Sequence, residues 1–140
     1  MDLELKDLIN SGIKGLTPYE PGKPIEDLER EYGIKKAIKL ASNESPLGPS
    51  PKVLEALKEV ISGINRYPDG NGSRLKEALS SRHSLSVDTL TLGNGSNDII
   101  EFVARCFLTP NDNAVYSKHA FAVYPLVTQS LGAQGVDVEA

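Results

Sequence analysis

The stretch Leu92-Gly93-Asn94-Gly95-Ser96-Asn97-Asp98-Ile99-Ile100 is where this chain offers chemistry most openly. A short apolar run breaks on two glycines and opens into a helical pattern. Glycine lets a backbone turn tightly and approach a ligand closely. Ser96 is a good N-cap residue, and the N–H groups behind such a cap have no partner inside the helix. A helix start of this kind attracts phosphate, because the aligned peptide dipoles add partial positive charge there. That contribution is roughly 0.3–1 kcal/mol when exposed and about 2 kcal/mol when partly buried. Gly95, Ser96 and Asn97 form the candidate cradle, with the Ser96 hydroxyl and the Asn97 amide as further donors. Better-known phosphate loops do not fit. Asp98 stands where a dinucleotide fingerprint needs its third glycine, and no Gly-Lys-Ser/Thr follows as in a Walker loop. Taken alone, the stretch also reads as an ordinary glycine turn before a capped helix.

Other reactive residue types form no constellation. His83 and His119 have no serine, cysteine or acid at the spacing of a nucleophile triad. His83 suits an exposed helix end, and His119 a loop. Cys106 falls at helical spacing from Phe102, Val103 and Phe107, which reads as a buried, inert thiol. As the single cysteine it cannot form an intramolecular disulfide. No spaced Cys/His set suggests a metal. Glu26, Asp27, Glu29 and Glu31 read as a solvated helix face. The net charge of −4, without a basic run, argues against a nucleic-acid surface. The apolar runs are too short to span a bilayer, and the acidic start is unlike a signal or transit peptide. A cytoplasmic protein is the expectation, and 140 residues suit one domain with a core.

The elements that must position the glycine loop follow from periodicity. Leu3, Leu5, Leu8 and Ile9 suggest a short helix or arm over residues 2–10. A Gly/Pro-rich linker follows, then a helix from Pro24 to Tyr32 with Gly33 as its stop. Ala37–Ala41 reads as a strand. Ser50-Pro51 opens the clearest helix, with Val53, Leu54, Leu57, Val60 and Ile61 on one face and Gly63 at its end. Residues 74–83 form another helix, and Thr89–Leu92 alternates as a strand. The helix after Ser96 aims Ile99, Ile100, Val103, Cys106 and Phe107 at a core. Thr109–Asp112 is a turn, Ala114–Tyr116 a strand, Pro125 the start of a helix ending at Gly132, and 134–139 a strand. This alternation predicts an α/β sheet with helical crossovers, in which the last two strands are parallel neighbours. From residue 50 onward three strands are expected, few for a covered sheet, so an incomplete sheet is expected.

Three further segments surround the glycine loop. Ala41-Ser42-Asn43-Glu44-Ser45-Pro46-Leu47-Gly48-Pro49-Ser50-Pro51 and Arg66-Tyr67-Pro68-Asp69-Gly70-Asn71-Gly72 precede it, and His119-Ala120-Phe121-Ala122-Val123-Tyr124-Pro125 follows. Their order and spacing resemble histidinol-phosphate aminotransferase, a pyridoxal-phosphate enzyme of fold type I. The resemblance runs from about Tyr19 to the last residue and covers only the first part of a family member. It implies an N-terminal arm and a small-domain contribution over residues 1–45. It further implies the first part of the cofactor-binding α/β large domain over residues 46–140, with its sheet incomplete.

The same resemblance assigns roles. Gly95, Ser96 and Asn97 would meet the phosphate of pyridoxal 5′-phosphate, and Phe121 would stack on its ring. Many relatives carry tyrosine at the Phe121 position, so a phenolic hydroxyl is lost here, and Phe121 also reads as core packing. Tyr67 would reach across a homodimer interface to the partner subunit's cofactor phosphate; by composition alone it is a surface tyrosine. Tyr19 resembles the arm tyrosine that covers the substrate site, or a linker aromatic packed on the surface. Asn43 and Glu44 match the substrate-side Asn-Glu-Asn-Pro signature, with Ser45 departing from it. Tyr124 reads as core.

No segment here resembles the one that supplies the family's Schiff-base lysine. None of the lysines, including Lys118 just before Phe121, has an apolar setting that would make it nucleophilic. No residue of this chain is therefore assigned as catalytic. For the complete enzyme the resemblance implies amino transfer between L-histidinol phosphate and 2-oxoglutarate, giving imidazole-acetol phosphate and glutamate, in histidine biosynthesis. An aromatic aminotransferase, a phosphothreonine decarboxylase on the same scaffold, and a non-catalytic truncated product share these front motifs.

Overall fold

Pro24 has the extended conformation of an N-cap (φ −58°, ψ 146°), and helix α1 (Ile25–Tyr32) begins directly after it, one residue later than expected. Glu26 and Asp27 in the first turn and Arg30 in the last match the helix dipole. Gly33 stops the helix, and its N–H donates to the Glu29 carbonyl. In this computed structural model, residue 4 and residues 7–139 are described. Of the helix or arm expected over residues 2–10, the greater part lies outside the described residues. Asp7 lies in a 3-10 turn, its N–H donating to the Glu4 carbonyl at 2.9 Å, Leu8–Asn10 is irregular, and the Ile13 N–H donates to the Asn10 carbonyl at 2.9 Å.

The contacts divide the chain into two units. Glu20–Ala78 forms one, and the described residues up to Tyr19 join those from Leu79 onward in the other. The first unit holds α1 and α2 (Pro51–Val60), the latter opened by Pro51 and continued by a 3-10 turn over Ile61–Gly63. Helix α3 (Ser73–His83) starts one residue earlier than expected and ends, as expected, at an exposed His83. The apolar face of α2 is formed as expected but lies open, with Leu54 47% and Ile61 65% exposed.

Two expected strands are absent. Ala37–Ala41 is irregular, with Ile38 86% and Leu40 91% exposed. Val87–Thr89 is a 3-10 turn and Leu90 is extended without a ladder. A β pattern becomes a strand only beside another strand, and neither segment meets one among the described residues. Glu29 is not merely solvated, since its Oε1 accepts the Ala37 N–H at 2.8 Å and ties that segment to α1.

The second unit carries the α/β pattern. Helix α4 (Ser96–Phe107) is followed by β1 (Asn113–Ser117), α5 (Val123–Ser130) and β2 (Gln134–Val138). The two strands are parallel neighbours as expected, with Val115 opposite Val136. Parallel pairing requires a crossover, and α5 supplies it while packing on α4 and β2. The helix begins two residues before Pro125, whose missing N–H falls in the first turn, where no intrahelical partner exists anyway. Asp112 sets up β1: its Oδ2 accepts the Thr109 N–H at 2.8 Å and the Thr109 hydroxyl at 2.6 Å. Both bonds hold the Asp112 carboxyl below its ordinary pKa.

The buried centre is small. Ala104 of α4, Thr128 of α5 and Ala133 before β2 form it. The Thr128 hydroxyl donates to the Tyr124 carbonyl at 2.8 Å, so no polar atom is buried unpaired there. On α4 only part of the expected inward face is covered: Ile99 and Ile100 are partly buried, while Val103 and Phe107 are exposed. Cys106 is exposed as well, contrary to the expected buried thiol.

Candidate active site

The glycine loop is built differently from the expectation in one respect. Gly95, not Ser96, is the N-cap of α4, and Ser96 is the first helical residue with no capping side-chain bond. Gly95 has φ 82° and ψ −179°, a region essentially closed to residues with a side chain. Its N–H is used inside the loop, donating to the Gly93 carbonyl at 2.9 Å. Gly93 lies against the helix start so closely that a Cβ there would stand 2.8 Å from the Asp98 Cβ.

Asp98 supplies what the sequence reading missed. Its Oδ2 accepts the Asn94 N–H at 2.8 Å, so the third helical residue reaches back and pins the loop. The bond resembles that of a capping box but reaches the N–H one residue before the cap, and an acid three residues after the cap was its signal. With the Asn94 and Gly95 N–H groups engaged, the first-turn donors Ser96 N–H and Asn97 N–H have no acceptor among the described residues. They point along the helix axis, where an anion would be favoured.

Asn97 also lines a cleft of about 220 Å³ with Tyr19, Phe121, Ala122, Val123 and Leu126. Phe121 is delivered there by the turn after β1, in which the Ala120 N–H donates to the Ser117 carbonyl at 2.8 Å. Tyr19 meets Phe121 edge-on, with ring centroids 5.3 Å apart and planes at 68°. Phe121 remains 52% exposed, so ring surface stays open. Typical small-molecule pockets are roughly 300–1,000 Å³, so this cleft suits one ring of a ligand.

Three residues singled out in separate parts of the sequence, Tyr19, Asn97 and Phe121, thus share one cleft. Tyr67, Asn43 and Glu44 belong to the other unit. Tyr67 is fully exposed. The loop that carries it is shaped by Asp69, which accepts the Asn71 N–H at 3.0 Å and the Ser73 N–H at 2.8 Å. The Ser73 bond first, then the Asn71 bond, hold the Asp69 carboxyl below its ordinary pKa. Glu44 pairs with Lys39 at 3.6 Å. Lys118, the lysine nearest Phe121 in sequence, is tied to Glu139 at 2.5 Å. Among the described residues no group of His, Cys, Asp and Glu could hold a metal ion.

Glycine loop, helix start and aromatic turn after a parallel strand are parts of a fold type I pyridoxal-phosphate aminotransferase architecture, here with a small two-stranded sheet. The crystal structure of histidinol-phosphate aminotransferase from Sinorhizobium meliloti in complex with pyridoxal-5′-phosphate superposes with a TM-score of 0.78 at 26% identity, over 91% of this chain and 34% of that one. In sequence the chain is similar to histidinol-phosphate aminotransferase 2 of Methylococcus capsulatus, 53% identical over 133 residues, or 95% of this chain. It is 54% identical over 133 residues to histidinol-phosphate aminotransferase 1 of Nitrosococcus oceani. The chain spans about 36% of the length of these relatives. No family model matches it. The resemblance to the N-terminal part of histidinol-phosphate aminotransferases, read above from four short segments, holds across nearly the whole chain.

Proposed function

We propose that these residues form part of the pyridoxal 5′-phosphate site of a histidinol-phosphate aminotransferase. The meeting of Tyr19, Asn97 and Phe121 at the start of α4 carries this reading. The residues present fit the cofactor. Two unpaired N–H groups at a helix start match a phosphate, and a half-exposed aromatic ring beside them matches a flat pyridine. When bound, the cofactor supplies the electron sink that lets an amino group move between substrates.

The chain's own residues bind and orient. The Ser96 and Asn97 N–H groups, with the Ser96 hydroxyl, hold the phosphate behind the turn at Gly95. Phe121 fixes the ring plane, a contact of about 0.5–1.5 kcal/mol. Tyr19 closes the open side and excludes water. Residues 46–140 belong to the large domain and residues 1–45 to the arm and small domain. Tyr67 donates its phenol to the cofactor phosphate across a homodimer interface, and Asn43 and Glu44 face the substrate. The substrates are L-histidinol phosphate and 2-oxoglutarate, in a cytoplasmic enzyme of histidine biosynthesis. None of the ten lysines of this chain is assigned the anchoring role.

A chimera tests the reading. This chain replaces the corresponding 133 residues of the Methylococcus capsulatus relative. Transamination from histidinol phosphate to 2-oxoglutarate is expected, with cofactor affinity weakened roughly 2- to 13-fold in Phe121→Ala. A chimera that binds cofactor but acts only on aromatic amino acids or phosphothreonine would overturn the substrate assignment.

A further inference from the structure

Gly12 is buried, although its neighbours Ser11 and Ile13 are exposed. A Cβ at this position would stand 2.5 Å from the Gln129 carbonyl oxygen, 2.7 Å from that of Ser130 and 2.9 Å from the Gly132 nitrogen. All three are backbone atoms, so no side chain can swing aside to make room. They form the C-terminal end of α5. The Tyr19 ring rests at the other end of the same helix, where Phe121 and Ala122 precede its first turn.

We infer that Gly12 anchors a strap, residues 12–19, that runs along α5 and holds the Tyr19 ring against Phe121. The eight residues of α5 measure about 12 Å at 1.5 Å each. Seven extended residue steps reach roughly 23–25 Å. The strap therefore has slack, and its length alone does not fix Tyr19. A turn, in which the Leu16 N–H donates to the Ile13 carbonyl at 3.1 Å, takes up part of it. The seating of Gly12 fixes one end of the strap, and the edge-on contact with Phe121 receives the other. Asn10 presents the glycine: its Oδ1 accepts the Gly12 N–H at 2.9 Å, and its carbonyl accepts the Ile13 N–H. Gly12 touches no candidate ligand group and acts only through Tyr19, as a positioning residue. Its functional meaning rests on the cleft being the cofactor site; the mechanical coupling does not.

The test is proton NMR on the full chain, comparing Gly12→Val with Ser11→Val. Ring cross-peaks between Tyr19 and Phe121 report the strap, and cross-strand peaks between Val115 and Val136 report the fold. Gly12→Val is expected to lose the ring cross-peaks and keep the strand peaks, while Ser11→Val keeps both. Ring cross-peaks that persist in Gly12→Val would overturn the inference. If Gly12→Val also loses the strand peaks, Asn10→Ala decides, because it removes only the acceptor that presents Gly12. Weakened ring cross-peaks on an intact fold are then expected, and unchanged ones refute the strap. Pyridoxine phosphate, added to Gly12→Val, still shifts the Ser96 and Asn97 amides if the cofactor reading holds, so the two failures are distinguishable.

Discussion

The Asp98 carboxylate accepts the Asn94 N–H at 2.8 Å, so the first turn of α4 holds its own entry loop in place. That bond spends the Asn94 donor on the protein and leaves those of Ser96 and Asn97 for a ligand. Asp98→Ala should free the loop and lower stability by about 0.5–1.5 kcal/mol, the net worth of one such bond. Asp98→Asn, which keeps an acceptor oxygen, should recover most of the loss. Urea unfolding of both variants checks this, and equal losses would show that charge rather than the bond matters.

Gly95 offers a second, independent handle on the same loop. Nothing lies within 4 Å of a Cβ built there, so a side chain meets no steric clash with its surroundings. Its backbone conformation alone resists substitution. Gly95→Ala should therefore cost about 1–3 kcal/mol through strain. The check is the unfolding midpoint of the variant, and a midpoint equal to that of the parent would contradict it.

Much of this organisation was legible in the residues because local rules wrote it. Gly33 and Ser50-Pro51 mark helix ends by backbone conformation, and the parallel pairing of the last two strands follows from the helix between them. Ala37–Ala41 and Thr89–Leu92 have the alternation of strands without the partners that would make them so, and alternation carries no information about partners. Cys106 was misplaced for a related reason: helical spacing puts it on an apolar face, but whether that face is covered is a tertiary matter. In the site, the aromatic and amide residues were visible. The shift of the cap from Ser96 to Gly95 was not, because two adjacent residues both suit an N-cap and only the backbone dihedrals choose.

The loop behind Tyr67 should respond to acid in a defined direction. Asp69 accepts N–H bonds from Ser73 and Asn71, which hold its carboxyl below the ordinary value of 3.8. A depressed folded pKa means that the stabilisation is fully present above the ordinary value and is lost as pH falls through the folded one. The Asn71 and Ser73 amide shifts should therefore titrate with a midpoint below 3.8. A midpoint at or above the ordinary value would contradict the capping geometry. In Asp69→Asn this transition should vanish.

Exposure of Cys106 predicts reactivity in the native chain. A maleimide should label it without denaturant. Labelling that appears only after unfolding would restore the buried position that periodicity alone suggested.

We propose one cofactor-phosphate site formed by the start of α4 and the Phe121 ring. Its most direct test is titration of the chain with pyridoxine phosphate, which lacks the aldehyde and so cannot label lysines at random. Amide shifts concentrated at Ser96 and Asn97, with ring shifts at Phe121, are expected, and excess inorganic phosphate should abolish the ring shifts while still perturbing the two amides. Shifts scattered over the lysine-bearing helix faces, with Ser96 and Asn97 unmoved, would contradict it.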